Sequence, residues 1–286
     1  MSLSDRQLRA SVMIIYNALL SLADVISRNK KNLQHVAEER VLQKTIKRDE
    51  FHPFIQPVFS ADGFTLKGCE ILLRVKSENN YNSPVLYIHE MEASRYRDDI
   101  ICHLFQEIEK SFENIMNYLP EDFYFSFNIT AGQISSHDVI NAALHFSRTF
   151  KDAATLVLEV VERTALNFDD KTMQVIEHLV ANDIRLAIDD FSAGSLSLKY
   201  IENIGLSALK IDKDLTQAIN GQLVYENVID AIMTLSSRLG VSVTADGIET
   251  YEQMPLLRKA GINGLQGDYL AEPMQVSEFI HRYIGM

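Results

Sequence analysis

From residue 52 onward the chain alternates short β-prone runs with longer helical segments, and this alternation restricts its fold more than any other feature. The predicted strands are Phe54–Phe59, Cys69–Lys76, Phe123–Ile129, Leu156–Val161, Arg185–Asp189, Ala208–Ile211, Ser242–Ala245 and Gly264–Tyr269. The predicted helices between them include Asp98–Leu119, Lys171–Asn182, Gln222–Leu239 and Tyr251–Ala260. Eight strands that alternate with helices in this way predict an α/β fold, a TIM-like (β/α)8 barrel.

An open, doubly wound sheet would show the same alternation of strands and helices. Sheets of that kind usually bind nucleotides through a glycine-rich turn after a strand. The sequence contains neither a GxGxxG turn nor a Walker loop. We therefore favour the barrel, and we predict that it occupies residues 51–286.

Residues 1–50 precede this pattern and are predicted to form a helical segment, because residues 4–49 contain neither glycine nor proline. Apolar residues recur there in steps of four and three, which is a heptad pattern. They are Leu8, Val12, Ile15, Leu19, Leu22, Ile26, Leu33 and Val36. The pattern fits a helix that joins two protomers or relays a signal, and it equally fits a helical hairpin that caps the barrel. About 50 residues leave no room for an intact sensor domain.

The charge and cysteine content of the chain exclude several classes of function. An excess of 39 acidic over 27 basic residues gives a net charge of −12, which disfavours a groove for nucleic-acid polymers and adhesion to anionic membranes. Cys69 and Cys102 form no CxxC pair, so a reduced, cytoplasmic setting is expected. The most apolar stretch, residues 8–26, includes Arg9 and Asp24 and is not expected to span a membrane.

Polar side chains interrupt or end seven of the eight predicted strands, although a strand buried on both faces should be almost entirely apolar. They are Glu70, Asn128, Glu159, Asp189 with Asp190, Lys210, Asp246 and Gln266. Barrel enzymes build their active sites at the C-terminal ends of the strands. Carboxylates that converge there repel one another unless cations neutralise them, which predicts a site for Mg²⁺ or Mn²⁺ with two ions sharing a carboxylate. Lys210 would orient a water molecule or offset negative charge.

The same residues lie in segments that resemble, in order, the motifs of the EAL domain family, bacterial phosphodiesterases that linearise cyclic di-GMP. The segments are EILLR (Glu70–Arg74), FNIT (Phe127–Thr130), EVVE (Glu159–Glu162), IDDFSAG (Ile188–Gly194), KID (Lys210–Asp212), ADGIET (Ala245–Thr250) and QGDYLAEP (Gln266–Pro273). The resemblance covers roughly residues 50–286. It implies a TIM-like barrel with an antiparallel first strand, and a reaction that opens one phosphodiester bond of cyclic di-GMP to give pGpG.

The resemblance assigns six residues to two metal ions. They are Glu70, Asn128, Glu159, Asp189, Asp190 and Asp246. The first four would bind one ion, Asp189 would bridge to the second, and Asp190 and Asp246 would complete that second site. The family also includes dimers, so a homodimer is expected.

The resemblance further implies which residues act on the substrate. Lys210 would hold the attacking water, Gln266 would lie beside that water or the substrate, and Asp246 would contribute to catalysis through the second ion. Arg74 and Gln56 would bind the substrate. The planar guanidinium of Arg74 suits a phosphate.

Other positions support the site or depart from the family pattern. Glu162 and Glu249 would brace the loop after Asp190 and the outer part of the site. That loop carries Ser192 where the family has glycine, which matters if the position requires a positive φ. Ile71 replaces the usual alanine, so the triplet that names the family reads EIL.

Three departures concern the metal and the nucleotide directly. Asp246 stands where the family has glutamate, and its side chain is shorter by one C–C bond of about 1.5 Å. A misplacement near 1 Å costs on the order of 100-fold in rate when geometry is tight. Asp268 replaces an aromatic residue and Glu272 a basic one, and both changes remove features expected to favour a dianionic dinucleotide. Ser192, Asp246 and Glu272 leave an alternative function open: a catalytically impaired domain that binds cyclic di-GMP or a protein partner as a sensor or regulator.

Overall fold

The computed structural model describes residues 51–77, 80–84, 94–161, 169–191 and 205–285. The segment predicted to be helical, residues 1–50, lies outside these ranges. The barrel belongs to one compact unit of the chain, Phe51–Pro84 and Arg97–Met286.

Twelve strands are formed by the described residues. They are β1 (Phe51–Ser60), β2 (Leu66–Ser77), β3 (Asn80–Asn82), β4 (Tyr124–Ile129), β5 (Thr155–Val161), β6 (Arg185–Phe191), β7 (Leu206–Ile211), β8 (Ala218–Ile219), β9 (Gln222–Leu223), β10 (Ser242–Ala245), β11 (Gly264–Leu265) and β12 (Met274–Gln275). Eight of them close a barrel in the order β1-β2-β4-β5-β6-β7-β10-β11, and β11 pairs back to β1. Neighbouring strands from β2 to β11 are parallel, whereas β1 runs antiparallel to both of its neighbours. The predicted barrel and its antiparallel first strand are confirmed.

Helices follow several of the barrel strands. They are α1 (Arg97–Phe112), α2 (His137–Thr149), α3 (Asp170–Val180), α4 (Glu226–Leu239), α5 (Gln253–Lys259) and α6 (Val276–Phe279). Local chemistry sets some of the ends: Asp169 accepts a hydrogen bond from the Thr172 N–H at the start of α3 (2.9 Å), and Gly240 ends α4 in a left-handed conformation. No helix within the described ranges is long and apolar enough to cross a membrane.

Two predicted helices were too long. The helix predicted over Asp98–Leu119 ends at Phe112, and a short 3-10 turn follows at Met116–Tyr118. The helix predicted to begin at Gln222 begins instead at Glu226. Residues before it form the β8–β9 hairpin, whose turn residues Asn220 and Gly221 have φ values of 54° and 78°. Two consecutive positive φ values are the geometry of a tight hairpin turn, which excludes a helix there.

Phenylalanine packing fixes the strand that carries Asn128. Phe125 and Phe127 of β4 are fully buried against rings from α1 and α2. The Phe127 ring centroid lies 4.3 Å from that of Phe105, and the Phe125 centroid lies 5.6 Å from that of Phe146. These outward-facing rings anchor β4 to its helices, and the intervening residues of the strand face the barrel interior.

Candidate active site

Strand register brings the predicted polar residues to one end of the barrel. Gln56 of β1 lies opposite Glu70 of β2, and Asn128 of β4 lies beside Glu159 of β5. Asp246 directly follows β10, where its backbone N–H donates to the carbonyl of Ile211 at the end of β7 (3.1 Å). The side chains therefore meet at the carboxyl ends of the parallel strands, where barrel proteins place their sites.

Lys210 is the cation at the centre of this cluster. Its Nζ lies 2.5 Å from Glu70 Oε2, 3.4 Å from Asp246 Oδ2, 3.5 Å from Glu159 Oε2 and 3.8 Å from Asp189 Oδ1. Lys210, Glu70 and Glu159 are all buried, at 4–5% exposure. Four acidic side chains thus share one buried ammonium group.

Two amide side chains donate to the carboxylate of Glu70, and a third contacts one of them. Asn128 Nδ2 donates to Glu70 Oε1 (2.5 Å), and Gln266 Nε2 donates to Glu70 Oε2 (2.6 Å). The same Gln266 nitrogen lies 3.1 Å from Gln56 Oε1. Both oxygens of Glu70 are therefore engaged, one of them also by Lys210.

Burial and charge move the pKa values of these groups in opposite directions. Burial raises the pKa of Glu159 to about 8 and that of Asp189 to about 6; Lys210 opposes both shifts, and the charge of Glu70 adds to them. Burial also acts to raise the pKa of Glu70, but the charge and hydrogen bond of Lys210 lower it overall. The surrounding carboxylates raise the pKa of Lys210 against the effect of burial. The cluster therefore keeps Lys210 charged while favouring protonated Glu159.

Two aspartates occupy the outer part of the cluster. The side chain of Asp246 is 34% exposed, and its Oδ1 accepts a hydrogen bond from the Gly247 N–H (2.6 Å). Asp190 has a φ of 56°, at a register shift between Ile188 and Phe191 in the pairing of β6 with β7. Consecutive residues of a regular strand point to opposite faces, and this irregularity breaks that alternation after Asp189. The charge of Asp190 also contributes to the raised pKa of Asp189.

Two buried oxygen atoms of the cluster accept no hydrogen bond from the described residues, although Lys210 Nζ lies 3.5 Å from one of them in an ion pair. Asn128 Oδ1 and Glu159 Oε2 have no hydrogen-bond partner in the described part of the chain. Buried polar atoms are nearly always satisfied, so each is a candidate ligand for a cation. As the side chains stand around Lys210, however, no three acidic, histidine or cysteine residues of the described ranges are grouped closely enough to hold a metal ion.

The predicted substrate-binding residues lie beside this cluster. Arg74 is on the same face of β2 as Glu70, four residues further along the strand. Its guanidinium carbon lies 5.6 Å from the centroid of the Phe54 ring, and Nη1 donates to the carbonyl of Leu73 (2.9 Å). Gln56 Nε2 lies 3.2 Å from both Asp268 Oδ1 and the carbonyl oxygen of Ala271.

Of the three residues predicted to support the site, Glu162 and Ser192 lie outside the described residues. Glu249 is exposed and donates its backbone N–H to Gln253 Oε1 (2.8 Å). Gln253 is buried, at 4% exposure, and also accepts from the Thr250 N–H (2.8 Å) and donates to the Thr216 carbonyl (3.1 Å). Gln253 was not among the residues predicted to support the site, because its only signal in the sequence is a polar side chain near the start of a predicted helix.

A closed barrel with one antiparallel strand, and with a lysine enclosed by carboxylates at the strand ends, defines a TIM-like barrel protein with an enzyme-type site. The family model of the EAL domain matches residues 39–273, and the chain belongs to that family. The resemblance found in the sequence motifs is thereby confirmed.

Similar proteins include curated relatives and solved structures. The chain is 29% identical over 270 residues to the probable cyclic di-GMP phosphodiesterase PdeG of Escherichia coli (strain K12), which covers 94% of this chain and 53% of PdeG. It is 26% identical over 258 residues to the cyclic di-GMP phosphodiesterase PdeL of the same organism, which covers 90% of this chain and 71% of PdeL. The chain thus spans about half the length of PdeG.

Solved EAL structures share the fold. The cAMP- and cyclic-di-GMP-bound form of the EAL enzyme Bd1971 matches with a TM-score of 0.78 and 25% identity, over 88% of this chain and 69% of that one. The cyclic di-GMP complex of the PaMucR phosphodiesterase matches with a TM-score of 0.75 and 24% identity, over 86% of this chain and 99% of that one. Both comparisons agree with the barrel topology described above.

Proposed function

We propose that this chain hydrolyses cyclic di-GMP to linear pGpG in a reaction that requires Mg²⁺ or Mn²⁺. Membership of the EAL family and relatives named as cyclic di-GMP phosphodiesterases support the substrate. The observation that carries the metal requirement is a pair of buried oxygens that accept no hydrogen bond within the described residues, Asn128 Oδ1 and Glu159 Oε2, beside Glu70 and Asp189. Hard divalent cations bind oxygen ligands of this kind.

Charge balance supports two ions. Five carboxylates carry a formal charge of −5, and Lys210 reduces the total to −4. Two divalent cations would bring the formal charge of the site to zero. The carboxylates are those of Glu70, Glu159, Asp189, Asp190 and Asp246. A neutral site would accept a dianionic substrate far better than the metal-free cluster does.

The residues that would hold the ions are those with oxygen donors at the strand ends. Glu70, Asn128, Glu159 and Asp189 would hold one ion; Asp189 would bridge to the second, which Asp190 and Asp246 would complete. When bound at these residues, divalent ions would lower the pKa of a water molecule and would stabilise charge on the phosphate.

The chain's own residues then position the reactants. Lys210 has three N–H donors. Once the surrounding carboxylates bind the ions, these donors would be available to orient the attacking water. Gln266 lies 2.6 Å from Glu70 and is buried, so its amide can hold the water or the substrate beside that carboxylate. Arg74 would bind a phosphate, because its guanidinium makes no ion pair with any carboxylate of the described residues.

A direct test is to incubate the full chain with cyclic di-GMP and either Mg²⁺ or Mn²⁺ and to follow pGpG by chromatography. We expect turnover with either ion, none after chelation, and a loss of at least about 100-fold in Glu159→Gln, which keeps the shape and removes the charge. The absence of pGpG with both ions at micromolar enzyme would refute the proposal.

One observation favours the second candidate, a nucleotide-binding regulator without turnover. Asp246 is one methylene shorter than the family glutamate, and its Oδ1 is already bonded to the Gly247 N–H (2.6 Å). Under this alternative, calorimetry would detect binding of cyclic di-GMP although no pGpG forms. The absence of any heat of nucleotide binding would favour a domain that binds a protein partner. Asp246→Glu separates the candidates: if the short side chain limits the rate, it should raise turnover by about 10- to 100-fold.

A further inference from the structure

Five side chains beside the acidic cluster form a surface, and none of them is among the proposed metal ligands. We call this surface the hairpin wall, and its members are Phe54, Gln56, Arg74, Tyr81 and Asp268. The Phe54 and Tyr81 rings are 5.1 Å apart between centroids, and the Arg74 guanidinium lies over Phe54. Phe54 and Gln56 share one face of β1, about 7 Å apart at two residues' rise. The wall therefore has an aromatic end and a polar end, separated by about the length of a purine.

The backbone around Asp268 is held in place on both sides. The Ile248 N–H donates to the Gln266 carbonyl (3.0 Å), and the Tyr269 N–H donates to the Ile248 carbonyl (2.9 Å). A Cβ on Gly267 would lie 2.1 Å from the Ile248 nitrogen, so only glycine permits this approach. Asp268 is consequently presented by a fixed loop, not by a free turn.

The carboxylate of Asp268 keeps hydrogen-bonding capacity. Its Oδ1 accepts from Gln56 Nε2 (3.2 Å), and the residue is exposed. Within the described ranges it forms no ion pair with Arg74, although its charge acts on the Arg74 pKa. Asp268 can therefore accept hydrogen bonds from a base edge while Arg74 donates to a phosphate, because the two side chains form no ion pair with each other.

We propose that the hairpin wall binds a nucleobase of the substrate and that Asp268 selects guanine. This inference rests on the proposed function. The Watson–Crick edge of guanine carries two adjacent donors, N1–H and the 2-amino group, which match the two acceptor oxygens of a carboxylate. Adenine presents an unprotonated N1 at the same place, and a carboxylate repels it. The rings of Phe54 and Tyr81 provide the apolar surface on which bases stack.

Electrostatics alone would give Asp268 the opposite effect on nucleotide affinity. If Asp268 only reduced the attraction of Arg74 for phosphate, removing its charge would tighten nucleotide binding. If Asp268 binds guanine, removing its charge weakens binding and erases the preference for the 2-amino group.

The experiment is isothermal titration calorimetry of the full chain with Ca²⁺, with chromatography to confirm that each nucleotide stays intact. The ligands are cyclic di-GMP, cyclic di-IMP, which lacks the 2-amino group, and cyclic di-AMP. The variant is Asp268→Asn, and the matched control is Glu272→Gln, another exposed acid in the same segment. Circular dichroism melts establish that the variants fold.

We expect the wild type to bind cyclic di-GMP on the order of 10-fold or more tightly than cyclic di-IMP. Asp268→Asn should lose about 10-fold in affinity for cyclic di-GMP and most of that preference, whereas Glu272→Gln, which removes an equal charge, should not weaken binding and should keep the preference. Unchanged or tighter binding by Asp268→Asn would overturn the assignment and leave the proposed function standing. If the wild type binds none of the three nucleotides, the proposed function fails as well.

Discussion

The Lys210 ammonium lies within 3.8 Å of four carboxylates, and it offsets their mutual repulsion in the metal-free protein. Removing one partner of a buried ion pair typically costs about 3–5 kcal/mol, because the remaining charge stays buried and unpaired. Lys210→Met keeps most of the side-chain volume and removes only the charge. Its effect therefore measures the electrostatic role of Lys210 separately from packing.

We predict that metal-free Lys210→Met loses about 3–5 kcal/mol of unfolding free energy at pH 8. The loss should be smaller at pH 5, where protonated carboxylates no longer repel one another. Urea unfolding at the two pH values measures both quantities, with Lys213→Met, at an exposed lysine, as the control. An equal loss at both pH values would contradict this electrostatic account.

The raised pKa of Glu159 gives the site a defined pH dependence. The pKa of Glu159 is about 8 in the folded protein and 4.5 ordinarily. Protonation of Glu159 therefore stabilises the folded state fully below pH 4.5, and this stabilisation is lost as the pH rises through about 8. A divalent ion needs the ionised carboxylate and must displace that proton. Metal binding and protonation of Glu159 therefore compete.

We predict that Mn²⁺ binds more tightly at pH 8 than at pH 6 and releases protons when it binds at pH 7. Calorimetry in two buffers with different ionisation enthalpies measures the proton release. In Glu159→Gln the release should fall. Proton release that is zero in the wild type would show that Glu159 is already ionised.

The loop that follows β11 is tightly constrained near the site. Gly267 approaches the Ile248 backbone so closely that a Cβ would lie 2.1 Å from its nitrogen, and Gln266 and Asp268 flank that glycine. A Gly267→Ala change cannot be relieved by moving a side chain, because the obstacle is backbone. It should displace both flanking side chains.

We predict that Gly267→Ala destabilises the protein by about 2 kcal/mol or more and lowers nucleotide affinity. Gly221→Ala is the matched control: Gly221 has a φ of 78°, and no atom lies within 4 Å of an added Cβ. It should cost only about 1 kcal/mol, the strain of the left-handed conformation. Thermal unfolding compares the two variants, and equal shifts would contradict the close-approach argument.

The barrel strands could be predicted because each is an apolar run that a polar residue interrupts or ends, as at Glu159 and Asp189. The last strand, predicted over Gly264–Tyr269, is shorter and ends at Leu265. The hairpin β8–β9 could not, because two-residue strands have no periodicity and Gln222 continues a helical pattern. Gln56, Glu70 and Gln266 meet across separations of up to 210 residues, and closure of the barrel sets their contacts. The positive φ of Asp190 likewise depends on strand pairing, which its neighbours in sequence do not determine.

For the chain as a unit, assembly stays a prediction from the heptad pattern at the N-terminal end. We expect a homodimer of twice 32.5 kDa by light scattering. Ile15→Glu with Leu22→Glu, both in the seam, should give the monomer mass, and Asn17→Glu with Gln34→Glu, both outside it, should not. A monomeric wild type would instead favour the helical cap.

Charge unites the features of the molecule. The chain carries a net charge of −12, and five of its acids meet at one end of the barrel. Under the proposed function, divalent cations would neutralise this concentration of charge when substrate binds. The other acidic residues of the chain favour solubility, and their negative charge does not attract an anionic nucleotide.

The claim that these acids bind divalent metal is tested most directly by anomalous scattering from crystals grown with Mn²⁺ and cyclic di-GMP. Two manganese peaks are predicted, one among Glu70, Asn128, Glu159 and Asp189, and the other between Asp189, Asp190 and Asp246. A single peak that Asp246 does not reach would support the regulator. No peak, with Lys210 still enclosed by the four carboxylates, would contradict the proposed metal site.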